Sequence, residues 1–153
     1  MNLETKKKYE LLKAKNKNIM YEKNWKSNLL FMECIGVLEN YLILSKEESE
    51  GLFHDLQTLV PFKNGRVNWK KVTTGLRITV EDLKKNNKNN KQYYVLWDSY
   101  DIPCVCCGLQ TIIDNLNDIL AVSSNTWLLS ERKDEIIEFY HEGEIMYGEI
   151  ISK

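Results

Sequence analysis

The spacing of six apolar residues, Leu109, Ile112, Ile113, Leu116, Ile119 and Leu120, constrains the fold more than any other part of the chain. They fall at steps of i, i+3, i+4, i+7, i+10 and i+11, while Gln110, Thr111, Asp114, Asn115, Asn117 and Asp118 occupy the positions between. At 3.6 residues per turn this is one apolar stripe on a helix, which must lie against another apolar surface. The flanking sequence supplies that surface. Residues 93–97 and 104–107 precede the helix, and residues 126–130, 135–141 and 144–150 follow it. Each is a short run rich in β-branched and aromatic residues, bounded by turn formers, and reads as a strand. The expectation is an α+β protein: a single antiparallel sheet of about five strands, helices packed on it, and a helical N-terminal half. With 153 residues the chain can bury one good core, so residues 1–153 are read as a single domain.

The N-terminal half is patterned less sharply. Residues 2–23 are rich in lysine and asparagine with sparse apolar points, which predicts a solvated helix fraying at its start. From Trp25 to Leu44 apolar residues recur at steps of three and four, favouring a buried helix, although Tyr41-Leu42-Ile43-Leu44 reads equally as a strand. Ser45 with Glu48 three residues on is a capping box. The helix it opens places Leu52, Phe53, Leu56, Leu59 and Val60 on one face and stops before Pro61. Asn64-Gly65 marks a turn, Asn68 and Thr79 are candidate starts of short helical turns, and the polar run 84–91 reads as a mobile loop.

Charge is distributed unevenly. Residues 1–97 carry 18 Lys/Arg against 11 Asp/Glu, a balance of +7, whereas residues 98–153 carry 3 against 11, a balance of −8. Such a chain either neutralises itself on folding or presents faces of opposite sign. The acidic half contains His141-Glu142-Gly143-Glu144, a tight hairpin connection in which Gly143 supplies positive φ. With Glu142 and Gly143 as a two-residue loop, His141 pairs with Glu144, Phe139 with Met146 and Ile137 with Gly148. That set faces the core under helix 109–120. The other face then carries Ile136, Glu138, Tyr140, Ile145, Tyr147 and Glu149. Tyrosines, isoleucines and glutamates together suit a partner surface, and a covering helix is the alternative. The candidate partner-binding residues are Glu138, Tyr140, Glu142, Glu144 and Tyr147, with Asp98 and Asp101 in the turn before Pro103.

Chemical machinery is not evident. His54 reads as a solvated or half-buried helix residue and His141 as a cross-strand partner of Glu144. Cys104, Cys106 and Cys107 lack zinc-ligand spacing and lie too close on one strand to bridge, so with Cys34 they read as free thiols of a reducing compartment. No phosphate-binding glycine loop or nucleophile elbow occurs. No catalytic residue, metal or cofactor is therefore expected. Neither a secretory signal nor a stretch of roughly 18 apolar residues is present, and the expected compartment is the cytoplasm.

The last 30 residues carry Trp127-Leu128-Leu129-Ser130, a charged turn, Glu135-Ile136-Ile137-Glu138-Phe139, then His141-Glu142-Gly143-Glu144-Ile145 and Gly148. This pattern resembles the C-terminal end of small immunity proteins from bacterial contact-dependent inhibition and related polymorphic-toxin systems. The resemblance implies a cytoplasmic, non-enzymatic protein that binds the toxin domain of a sibling cell and blocks its active site. It also implies that the toxin is often a basic nuclease, which an acidic patch would attract. The alternative function is binding of single-stranded nucleic acid, or regulation, through the basic half, with lysines at 6–17 and 84–91 near Tyr93, Tyr94 and Trp97.

Overall fold

The computed structural model describes residues 2–151. In chain order the elements are α1 (Leu3–Lys26), α2 (Leu29–Val37), β1 (Leu42–Ile43), α3 (Lys46–Leu59), β2 (Phe62–Lys63), β3 (Arg66–Val67), a 3-10 turn (Trp69–Lys71), β4 (Leu76–Arg77) and α4 (Val80–Asn86). There follow β5 (Gln92–Trp97), β6 (Val105–Gly108), α5 (Leu109–Asp114), α6 (Leu116–Leu120), β7 (Thr126–Ser130), β8 (Glu135–Phe139) and β9 (Ile145–Glu149). The α+β class holds, but the main sheet has seven strands, ordered β1-β6-β5-β7-β8-β9-β4, with every neighbouring pair antiparallel. The five expected strands are its centre. The two additions are two-residue strands at the edges: β1 lies in the stretch left open between helix and strand, and β4 is too short for a period-2 pattern to register.

Both faces of the sheet are covered, so strand residues of either parity are buried. On one face Tyr93, Val95, Trp97, Leu128, Ile137 and Phe139 pack with Phe31, Cys34 and Ile35 of α2 and with Ile112, Ile113 and Ile119 of α5 and α6. On the other, Leu96, Cys104, Trp127, Leu129 and Ile136 meet Leu52 and Leu56 of α3, with Val60 and Val67. The Trp97 indole N–H donates to the Ile119 carbonyl at 2.8 Å, tying the central strand to α6. The helix expected over 109–120 breaks at Asn115, whose φ of −124° and ψ of 28° leave the helical region. Its apolar stripe still faces the sheet as the spacing requires.

The Ser45 capping box is complete. The Ser45 hydroxyl accepts from Glu48 N–H at 3.1 Å, and Glu48 accepts from Ser45 N–H at 3.1 Å. Asn64 and Gly65 both take positive φ, 56° and 78°, and close the β2–β3 hairpin. A 3-10 turn follows Asn68, which makes no side-chain cap, whereas Thr79 and Asp82 form a second capping box at α4. The stretch from Trp25 to Leu44 resolves into both of its readings: helix ends at Val37, and Leu42–Ile43 is a strand paired with β6. The run read as a mobile loop is partly helical, and Asn90 caps α5 by accepting from Gln110 N–H at 2.9 Å. As expected, α1 is solvated, with no buried residue. It is nevertheless helical from its first turn, where Asn2 accepts from Thr5 N–H at 2.8 Å.

The C-terminal hairpin departs from the expected register by one residue. Phe139 pairs with Ile145 and Ile137 with Tyr147, and the loop is His141-Glu142-Gly143, closed by Tyr140 N–H to Glu144 O and Gly143 N–H to Tyr140 O, both 2.9 Å. A two-residue primed turn would require positive φ at Glu142, alone in type II′ or together with Gly143 in type I′. A three-residue loop asks this of Gly143 alone, whose φ is 94°. The slip moves Ile145 and Tyr147 onto the face of Ile137 and Phe139, packed against the first core cluster. Met146 and Gly148 join Ile136 and Glu138 on the other face.

Candidate partner-binding surface

The face carrying Glu138 is not a surface. It is roofed by α3, the β2–β3 hairpin and the 3-10 turn, and Glu138 is 0% exposed. Its carboxylate accepts from Val67 N–H at 2.7 Å, from the indole N–H groups of Trp69 and Trp127 at 2.9 Å each, and from Arg66 Nε and Nη2 at 3.0 and 2.9 Å. Trp69 reaches this position because Gly148 has no side chain: a Cβ there would sit 2.8 Å from the Trp69 ring. A carboxylate with five donors and no solvent is a structural tie between the sheet and its roof. Glu138 is therefore corrected from a partner-contacting residue to a core residue.

The same network explains Tyr140 and Glu144. The Arg66 guanidinium lies 3.9 Å from the centre of the Tyr140 ring, and its Nη1 is 3.7 Å from a Glu144 carboxylate oxygen. His141 does not pair with Glu144. Its backbone N–H donates to Asn125 Oδ1 at 3.1 Å, and its Nδ1 is 3.3 Å from the same atom. Asn125 also accepts, through its carbonyl, the N–H of Asp98 at 3.1 Å. The register places Trp97, Thr126, Phe139 and Ile145 in one row across the sheet. The residues just beyond that row, Asp98, Tyr140, Glu142 and Glu144, are thus gathered at a single end, with the turn bearing Tyr100 and Asp101.

That end combines charge with aromatic area. Tyr100 is 82% exposed, with its ring 5.9 Å from that of Phe53. Beside it lies a recess of about 130 Å³ walled by Phe53, Phe62, Tyr100 and Trp127, with Asp98 among its lining residues. Residues 98–151 hold eleven carboxylates, of which Glu135, Glu138 and Glu144 lie within 4 Å of a lysine or arginine. Eight, including Asp98, Asp101 and Glu142, have no such partner among the described residues.

Tyr147 lies elsewhere. With Tyr93 and Glu135 it lines a cleft of about 500 Å³ between α4, β4 and β9. Burial and the neighbouring Glu135 carboxylate push its hydroxyl up to about 12, so it stays protonated. Sequence reasoning missed Arg66 and Glu135. Nothing local distinguishes either one, because each acts through residues distant in the chain.

The thiols of Cys34, Cys104 and Cys107 are buried and Cys106 is partly so; all four are free. Desolvation pushes the first three up to about 12. His54 is exposed on α3. Among the described residues no three His, Cys, Asp or Glu side chains gather as a metal site, and no helix is long and apolar enough to cross a membrane.

Carboxylates and exposed aromatics held at the end of a rigid sheet are the materials of protein recognition. The chain belongs to the CdiI immunity protein family, EcoliA0-like, whose model matches residues 28–148. It is accordingly an immunity protein of contact-dependent inhibition, and its partner is a toxin. The matched span takes in the whole seven-stranded sheet but for Glu149 and leaves α1 outside. No curated protein matches the chain.

Proposed function

We propose that the protein acts in the cytoplasm as a non-enzymatic inhibitor of a nuclease toxin, using the acidic end of its sheet to cover the toxin's substrate-binding surface. The observation that carries this reading is the convergence of Asp98, Asp101, Glu142 and Glu144 around Tyr100 and Tyr140 at one sheet end. A nuclease must present positive charge to a phosphate backbone. A rigid acidic patch is complementary to that charge and accelerates association while excluding the nucleic acid. Tyr100, and Tyr140 with Arg66 stacked on it, supply contact area at small cost in side-chain entropy.

Co-expression with the toxin domain encoded beside this gene should restore growth, and the two proteins should co-elute on size exclusion. Neither rescue nor a complex would remove the reading. The triple variant D98K/D101K/E142K should slow association about tenfold or more at low salt while changing dissociation less. An unchanged association rate would place the interface elsewhere.

One observation supports a second reading. Helix α1 carries eight lysines against three glutamates and buries none of its residues, so it is available to a polyanion. A salt-independent or absent response to oligonucleotides at low salt would dismiss nucleic-acid binding.

A further inference from the structure

Strand β8 carries two carboxylates three residues apart and facing opposite sides of the sheet, and the protein treats them differently. Glu138 is saturated by five donors that backbone, indoles and a guanidinium hold in place. Glu135, 19% exposed, has fewer partners, and one of them is mobile in kind. One of its oxygens accepts from the Tyr93 hydroxyl at 3.0 Å. The other is met by the ammonium group of Lys91, whose side chain is 43% exposed and stands at the end of the polar run before β5. Glu135 lines the cleft between α4, β4 and β9.

The cleft has the make-up of a side-chain receptor. At about 500 Å³ it falls within the size of small-ligand sites. Leu76, Ile78, Leu109 and Ile137 give it an apolar wall. Tyr93, 2% exposed, and Tyr147 bring hydroxyls toward Glu135, and burial together with that carboxylate keeps both protonated and donating. A further acceptor on the lining residue Asn87, its Oδ1, is buried with no hydrogen-bond partner. The anionic group is recessed, whereas the cation satisfying it is a strongly hydrated ammonium on a flexible, partly exposed stem. Exchanging Lys91 for another cation would leave the hydroxyl bond to Tyr93 in place.

We propose that the cleft is a second contact site that receives a basic side chain of the toxin, arginine or lysine. Its cationic head takes the place of Lys91 on Glu135, and its aliphatic stem lies on the Leu76–Ile78–Ile137 wall. The inference rests on the toxin-binding reading and adds to it a pocket at the end of the sheet opposite Asp98 and Glu142.

Two measurements test it. In the toxin complex, Glu135→Gln should weaken affinity by about tenfold to a hundredfold, the effect of losing one charge-assisted hydrogen bond. Lys91→Ala should leave affinity unchanged or raise it, because the competitor is gone. Equal weakening by both variants would overturn the proposal and make the pair a structural tie. Without toxin, N-acetylarginine amide should shift the ring resonances of Tyr93 and Tyr147 saturably, more strongly in Lys91→Ala and not at all in Glu135→Gln. Its neutral isostere N-acetylcitrulline amide should not. No shift in Lys91→Ala would refute a cation site. A shift in a protein that binds no toxin would keep the cation site but remove the toxin as its source. Both variants should retain cooperative unfolding, since the pair is partly exposed and contributes little to stability.

Discussion

Replacing Glu138 by alanine tests the assignment of this residue to the core. The substitution removes the common acceptor of five hydrogen bonds. Two of the donors, the Val67 N–H and the Trp127 indole N–H, belong to residues 2% and 4% exposed, and water cannot replace the carboxylate for them without opening the roof. Each orphaned buried donor costs about 1–3 kcal/mol. Arg66 retains 24% side-chain exposure and Trp69 is half-buried, so both rehydrate in part and add less. The total comes to about 3–5 kcal/mol, the range for breaking a buried ion pair by removing one member. At roughly 2–4 °C per kcal/mol in a chain of this size, Tm should fall by roughly 6–20 °C. Urea denaturation followed by tryptophan fluorescence measures this directly, because Trp69 and Trp127 are both at the site. Glu138→Gln, which keeps one acceptor but turns an NH2 toward the N–H donors, should lie between wild type and Glu138→Ala. A loss below about 1 kcal/mol with a large drop in toxin affinity would refute the reasoning and return Glu138 to the interface.

Other consequences follow from the same contacts. Ser45→Ala removes the capping-box hydroxyl and should cost about 1 kcal/mol, seen as a Tm drop of a few degrees by circular dichroism. Gly143→Ala meets no atom within 4 Å, so its cost is backbone strain alone at φ 94°, about 1–2 kcal/mol, and a urea midpoint equal to wild type would contradict the loop conformation. Burial raises the thiols of Cys34, Cys104 and Cys107 from 9.0 to about 12, so the folded state holds their protons where the unfolded chain releases them. Their contribution is present below about pH 8.5 and lost as pH rises toward 12. The urea midpoint should therefore decline across that window, with a shallower slope in Cys34→Ala, and a flat profile would refute the burial of these thiols.

Where the sequence was periodic it was readable. The 109–120 stripe, the five central strands and the Ser45 helix all follow from spacing and one capping motif, because each is fixed by neighbours within a few residues. Of the short edge strands, Leu42–Ile43 was legible only as an alternative to helix and Leu76–Arg77 not at all, because each pairs with a distant strand, β6 or β9. The long solvated α1 was legible as solvated. Of the candidate surface, Asp98, Asp101, Glu142 and Glu144 were found as charges in turns. Their convergence was not foreseeable, since it depends on Asn125 bridging the Asp98 turn to His141. Arg66 and Glu135 left no signal at all.

The single-residue slip in the last hairpin decides what the acidic excess can do. Alternation along β8 and β9 makes side-chain placement a matter of parity, so one residue in the loop exchanges the faces of an entire strand. Tyr147 moves from an outward position to the Glu135 cleft, and Met146 moves to the face of Glu138. Parity alone does not free Glu138, because both sides of this sheet are roofed, and a carboxylate in the middle of β8 must find donors inside. The protein supplies Arg66 from the basic half and two indoles, and one pair of charges from the two halves thus cancels in the core. Carboxylates at strand ends escape this requirement, since turns remain in water whatever the register. On the proposed reading the sign of the partner surface is therefore carried by Asp98, Asp101 and Glu142, whose exposure does not depend on which face of the hairpin looks inward. An interface built on strand ends rather than on a sheet face can vary its loop residues to match a toxin without disturbing the packing beneath.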